Sequence, residues 1–295
     1  METHSFKTVD GHEIDADVYP GGAGERQPAV LFIHGGGLIM GSRKAILPNQ
    51  VATFGEAGFR FVSIDYRLAP ETKLPEIVTD IEDAWAWLRN EASSFGIDPN
   101  RIAILGHSAG GYLALLAGCR LRPRPAAVVS LAAYTELTGD AFAAPSQHYR
   151  SEHAPVEKDE ARVTVGGSTI SESGPNDSMQ RYLGRGLFYL FAHQREIWLN
   201  EVSGHDPDDH HWYEQYQPLG NVSAEYPPTM LLHGEQDTDV PIEHSEKMQQ
   251  ELHRHGIPHD FTRHPEWGHA FLYMPNDASV DDAFNQIARF LGKYV

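Results

Sequence analysis

Short apolar runs and helix-spaced apolar positions alternate along most of this chain. Runs at 28–33, 60–64, 101–105, 126–132, 228–232 and 259–263 are too short for helices and read as strands. A weak alternation from Ser5 to Pro20 reads as an opening hairpin around Asp10-Gly11. Between the runs, one-face spacing marks helices: Leu47, Val51, Phe54 and Gly58, then Ile77, Ile81, Ala84, Trp85 and Leu88. Pro75 suits the first position of that second helix, and Asp98-Pro99 reads as a turn into the strand at 101–105. A helix over 241–255 follows late in the chain, and Val280, Ala283, Phe284, Ile287 and Leu291 close it with an amphipathic one. Strands alternating with helices predict an α/β fold with a mostly parallel central sheet flanked by helices. In such folds, sites lie beyond the strands' carboxyl ends.

The rhythm fails between residues 135 and 221, where no clear strand appears. Structureless loops longer than about 15 residues are uncommon in compact domains, so this stretch is expected to have structure of its own. Its middle, from Val163 to Pro175, is rich in glycine and serine and suggests mobility. Tyr182, Leu183, Leu187, Phe188, Leu190, Phe191, Ile197 and Trp198 suit helices. The expected organisation is a core of residues 1–134 and 222–295, with 135–221 inserted as a cap or lid.

The chemistry sits at strand ends. Gly106-His107-Ser108-Ala109-Gly110 follows the run ending at Leu105 and precedes the helix-forming Tyr112-Leu113-Ala114-Leu115-Leu116. Strand, five-residue turn, helix is the context that gives Gly-x-Ser-x-Gly meaning: the sharp turn lifts a serine hydroxyl above the sheet edge. Upstream, Val30-Leu31-Phe32-Ile33 runs into His34-Gly35-Gly36-Gly37, whose glycines let backbone N–H groups approach an oxyanion. Gly36, Gly37 and the amide of Ala109 are the expected oxyanion hole. Downstream, His233-Gly234-Glu235-Gln236-Asp237 places a carboxylate past a strand, and Trp267-Gly268-His269 places a histidine in a loop before the last helix. Ser108, Asp237 and His269 thus follow the chain order of an α/β-hydrolase triad.

With Asp65-Tyr66-Arg67-Leu68-Ala69-Pro70 added, these motifs span most of the chain. In this order they make it resemble the α/β-hydrolase serine esterases related to hormone-sensitive lipase. The bacterial carboxylesterases and feruloyl- or acetyl-esterase-like members are the nearest pattern. Two departures, His107 where such lipase relatives usually carry Asp and a short stretch before His34, lean toward feruloyl-esterase-like or formamidase-like branches. The resemblance implies hydrolysis of carboxylic esters through an acyl-enzyme, without a cofactor, and makes a homodimer plausible; a pocket covered by one partial lid over 135–221 favours short- to medium-chain acyl groups.

Composition narrows the remaining classes. With 23 basic and 41 acidic residues the net charge is −18, a surface that repels nucleic acid and anionic membrane. No apolar run approaches the ~20 residues of a membrane span. The opening Met1-Glu2-Thr3-His4 lacks a signal segment, so a cytoplasmic enzyme acting on a small-molecule ester is expected. The single cysteine, Cys119, follows the serine turn in an apolar helix and reads as a buried thiol.

Each signal has competitors. His259 falls in a strand and His264 precedes a proline, which leaves His269 as the loop histidine. Glu235 and Asp239 rival Asp237, and Asp239 suits the N-terminal turn of helix 241–255. Asp65-Tyr66-Arg67 reads as an ion-pair element supporting the glycine loop, and His34 as an organiser of that loop. The run His205 to His211 holds metal-ligating residue types in a crowded geometry, so no metal is expected. Asn176-Asp177-Ser178 and Asn221-Val222-Ser223 match glycosylation acceptors but carry no meaning without secretion. An amide hydrolase would use the same triad, and a ligand-binding module on a hydrolase fold is the alternative from another class.

Overall fold

A computed structural model of the chain describes residues 1–22, 24–138, 147–274 and 277–295. Its frame is an eight-stranded sheet in the order β1-β2-β4-β3-β5-β6-β7-β8. The strands are β1 (Glu2–Val9), β2 (His12–Tyr19), β3 (Gln27–Ile33), β4 (Arg60–Ile64), β5 (Ile97–His107), β6 (Val128–Leu131), β7 (Thr229–Gly234) and β8 (His259–His264). The hairpin β1–β2 joins β4 antiparallel, and every pairing from β4 to β8 is parallel.

The central strands are unbroken apolar runs because both sheet faces are covered. In β3, Leu31 and Ile33 enter one core with Ile104, Leu231, Trp85 and Leu113. Val30 and Phe32, pointing the other way, enter a second core with Leu105, Val129, Phe54 and Phe284. The helices supplying these faces are α1 (Pro48–Glu56), α2 (Leu74–Asn90), α3 (Ala109–Arg120) and, in the inserted stretch, α4 (Met179–Gln194) and α5 (Trp198–Ser203). Near the end come α6 (Glu243–Arg254) and α7 (Ala278–Tyr294).

Several details differ from the expectations. Gly58 lies beyond α1 at φ +87°, so it ends the helix rather than sharing its face. Pro75 is the second residue of α2, not the first. Asp98-Pro99 belongs to β5, where Gln27↔Ile97 is followed by Ala29↔Ile102. The turn chemistry survives as a bulge, with Asn100 N–H donating to the Asp98 carboxylate at 3.0 Å.

Within 135–221, residues 139–146 lie outside the described residues. The glycine-rich middle that suggests mobility is pinned to the sheet side of the molecule. Gly41 and Ser173 exchange backbone hydrogen bonds of 3.0 and 2.7 Å, and Leu68 N–H donates to Ile170 at 2.9 Å. Arg185 of α4 is fully buried. It donates to the carbonyls of Ile39 (2.6 Å) and Ala69 and straddles the Glu71 carboxylate at 3.1 and 2.9 Å. A bidentate guanidinium–carboxylate pair of this kind fixes orientation as well as position.

Candidate active site

Ser108 follows the last residue of β5 and precedes the first of α3, with φ +54° and ψ −121°. A non-glycine residue there is strained, and the surroundings hold it by closeness. A Cβ on Gly106 would stand 2.0 Å from the Gly110 carbonyl oxygen, and one on Gly110 would stand 2.1 Å from the Ile33 oxygen. Only glycine allows strand, turn and helix to approach so tightly, and that approach aims the serine outward.

The three sequence-predicted residues meet at the carboxyl ends of the strands. His269 Nε2 lies 2.9 Å from Ser108 Oγ, and His269 Nδ1 lies 2.8 Å from Asp237 Oδ2. Because a carboxylate only accepts, Nδ1 carries the proton and Nε2 is free to accept from the serine hydroxyl. Asp237 itself is saturated: its Oδ1 accepts from the N–H groups of Asp239 (2.9 Å) and Val240 (2.8 Å). His233 Nε2 stands 3.2 Å from its Oδ2. His233 also donates to the Val240 carbonyl at 2.9 Å and faces Ser245 Oγ at 2.8 Å.

The electrostatics follow from these contacts. Burial raises the Asp237 carboxyl, but hydrogen bonds from His233 and His269 and the histidine's charge hold it well below the usual carboxylate range. Burial lowers His269, yet the hydrogen bond to Asp237 and the charges of Asp237 and Asp239 outweigh it and leave the imidazole raised above 6.5. His107, immediately before the serine, is pushed by burial down to about 3 and stays neutral. Its Nε2 donates to the His269 carbonyl at 2.9 Å, tying the histidine loop to the serine turn.

The glycine loop lies opposite. Gly36 and Gly37 have φ of +111° and +60° and line the same cavity as Ser108 and His269. Ala109 is buried as the first residue of α3, where a first-turn N–H has no partner within the helix. The inserted stretch packs directly on this loop. A Cβ on Gly37 would meet the Tyr189 ring at 2.2 Å, and Trp198 Nε1 donates to the Gly37 carbonyl at 3.0 Å.

Beneath the loop, the reading of Asp65-Tyr66-Arg67 as support agrees with the contacts. Tyr66 donates to the His34 carbonyl at 3.0 Å and stacks on the His34 ring at 4.3 Å, while Asp65 accepts from the Arg43 N–H at 2.7 Å and Arg67 clasps Asp80. His34 is fully buried, pushed down to about 4 by desolvation, and donates to Gly35 O at 2.7 Å.

A cavity of about 470 Å³ opens above Ser108. Its walls include Tyr182 and Tyr189 of α4, Tyr273, Met40 and, unexpectedly, Asp239. Asp239 is not an acid of the α6 N-terminus, since α6 begins at Glu243; it faces the cavity with Oδ2 4.0 Å from His269 Nε2. Sequence reasoning also passed over Tyr189, Trp198 and His233 as site residues, and no motif singles out the two aromatic ones. Of these, His233 alone had a signal, as a histidine near the end of a buried strand four residues before the carboxylate candidate Asp237.

Elsewhere the histidine-rich run is occupied locally. His205 bonds Asp209 at 2.8 Å and stacks on Trp212 at 4.3 Å, and His211 pairs with Glu214 at 3.1 Å. Among the described residues no group of three His, Cys, Asp or Glu side chains is placed to hold a metal ion. No helix among them is long and apolar enough to cross a membrane. Cys119 is raised to about 12 by burial.

A parallel sheet with one antiparallel edge, a serine on a strained strand-to-helix turn, and a late loop histidine define an α/β hydrolase. The BD-FAE family model matches residues 16–252, and the chain belongs to that family. The dienelactone hydrolase family model also matches residues 211–295. Among solved structures, a protein of unknown function from Staphylococcus aureus subsp. aureus Mu50 superposes with a TM-score of 0.83 at 21% identity, covering 100% of this chain and 99% of its own. A hyperthermophilic esterase from the archaeon Pyrobaculum calidifontis does so at 0.71 and 25% identity, covering 99% and 82%. Curated relatives include the methylphloroacetophenone synthase of Cladonia uncialis, 28% identical over 348 residues that take in 99% of this chain. The non-reducing polyketide synthase pkbA of Emericella nidulans is 44% identical over 125 residues, 39% of this chain. The chain spans only 13% and 5% of the length of these two proteins.

Proposed function

We propose that the chain is a serine hydrolase that cleaves short- to medium-chain carboxylic esters by two-step acyl transfer. His269 takes the Ser108 proton as Oγ attacks the ester carbonyl, while Asp237 holds the imidazole in the required tautomer and offsets its charge. The amides of Gly36, Gly37 and Ala109 receive the developing oxyanion. His269 then protonates the leaving alcohol, and water repeats the sequence to release the acid. The observation that carries this reading is the pair of contacts Ser108 Oγ–His269 Nε2 at 2.9 Å and His269 Nδ1–Asp237 Oδ2 at 2.8 Å, opening on one cavity.

A cavity of about 470 Å³ falls in the range of small-molecule sites and leaves little room for long acyl chains, which gain ~0.8 kcal/mol per buried CH₂ only in a continuous apolar tunnel. The test is a fluorophosphonate label together with a p-nitrophenyl ester series. The label should attach to Ser108, and Ser108→Ala should remove both labelling and turnover, the latter by about 10³-fold or more. Turnover should be highest from acetyl to hexanoyl esters. An unlabelled wild-type protein would return the chain to the non-catalytic, ligand-binding class, and a steady rise in kcat/KM to palmitoyl esters would make it a lipase.

A further inference from the structure

Asp239 stands where the leaving group must pass. In the mechanism above, His269 Nε2 delivers a proton to the departing oxygen, and Asp239 Oδ2 lies 4.0 Å from that nitrogen. The carboxylate therefore lies beside the path of the leaving alcohol.

Three observations decide what it recognises. Among the described residues its charge-pair contacts within 4.0 Å are to histidines, His269 and, at 4.0 Å, His148. The cation in the cavity wall, Lys44, is already held by Asp177 and by Glu172 at 3.3 Å. The same cavity is lined by the phenol side chains of Tyr182, Tyr189 and Tyr273. Tyr189 is locked by a 2.9 Å hydroxyl contact to Tyr149, which in turn hydrogen-bonds Asp239. A carboxylate whose charge-pair partners among the described residues are histidines alone, in a cavity lined by phenol rings, attracts a cation both by Coulomb force and by the ring quadrupoles. The chain's net charge of −18 adds a field of the same sign.

We infer that Asp239 is a specificity-determining residue that selects esters whose leaving alcohol carries an ammonium group and rejects those carrying an anion. This rests on the serine-esterase reading. The assay compares three acetates that differ only at the far end of the alcohol: 2-(trimethylammonio)ethyl acetate, its neutral isostere 3,3-dimethylbutyl acetate, and the acetate of 3-hydroxypropionate. At about pH 8, above the ordinary histidine range, kcat/KM should favour the ammonium ester over the neutral one by about tenfold or more at low salt, with the anionic ester lowest. The ratio should shrink as salt is added and collapse toward unity in Asp239→Asn. Because the readout is a ratio within one protein, any common change in His269 chemistry cancels.

Equal rates for the three esters in the wild type overturn the inference while leaving the esterase reading standing. Loss of turnover on all three overturns the reading and the inference with it. A preference for glyceryl monoacetate over the ammonium ester, lost in Asp239→Asn, assigns the carboxylate to hydroxyl recognition and likewise overturns it.

Discussion

The loops at the sheet's carboxyl end and the stretch from 147 to 221 meet at one cavity but are built by different physics. On the sheet side, the site residues sit one to five residues past a strand's carboxyl end, so the sheet's packing fixes them. Ser108 follows β5, Asp237 follows β7, and the glycine loop follows β3. On the inserted side, Tyr189 and Trp198 take their positions from contacts made across long sequence separations. Trp198 reaches Gly37, Arg185 reaches Ile39, Ala69 and Glu71, and Tyr189 covers Gly37. One side carries the reacting groups on a frame; the other stabilises the glycine loop and shapes what enters.

The comparison breaks most directly at Arg185. If the inserted stretch is anchored there, Arg185→Met removes the guanidinium and leaves the buried Glu71 carboxylate without its ion-pair partner. Breaking such a pair from one side costs about 3–5 kcal/mol. Denaturant melts should show a loss of that order, with turnover at low temperature falling less than stability does. A loss below about 1 kcal/mol would mean that the stretch is held by its apolar contacts alone, and that the two regions are less interdependent than the contacts imply.

The same contrast explains what was legible in the chain. Apolar runs report strands, and short motifs after runs report site residues, so the sheet, the order of elements and the meeting of Ser108, Asp237 and His269 followed from pattern. Period and spacing also gave the helices near 182–198. Long-range hydrogen bonds leave no such trace. The pinning of Gly41 to Ser173 makes a glycine-rich segment ordered from outside, which composition reads as mobility. Asp239 was misplaced because an acid shortly before a helix suits the helix dipole. The turn that presents Asp239 and Val240 N–H groups to Asp237 instead sends its side chain into the cavity.

Trp198 sharpens the comparison at smaller scale. Its indole N–H is the inserted stretch's one hydrogen bond to the Gly37 carbonyl among the described residues. Trp198→Phe keeps most of the ring packing and leaves that carbonyl unpaired, a cost of about 1–3 kcal/mol. The expected result is a several-fold fall in kcat with KM little changed, since a slackened glycine loop weakens transition-state stabilisation more than it weakens ground-state binding. A rise in KM with unchanged kcat would place Trp198 among the pocket walls instead.

The smallest effect tests whether the two carboxylates near His269 act separately. In the proposed mechanism attack by Ser108 needs neutral His269, so kcat/KM should rise with pH through the histidine's own value. Burial lowers that value, while the Asp237 hydrogen bond and the charges of Asp237 and Asp239 raise it further, so the midpoint should lie above 6.5. His107, pushed down to about 3, is neutral throughout this range and does not contribute to the limb. Asp237 is fully buried and hydrogen-bonded to Nδ1, whereas Asp239 is 26% exposed and 4.0 Å from Nε2, where solvent screens it. Asp239→Asn should therefore lower the midpoint, and by less than losing the buried Asp237 charge would. A midpoint that does not move would confine Asp239 to the substrate side of the cavity, and Asp237 alone would then hold the base poised.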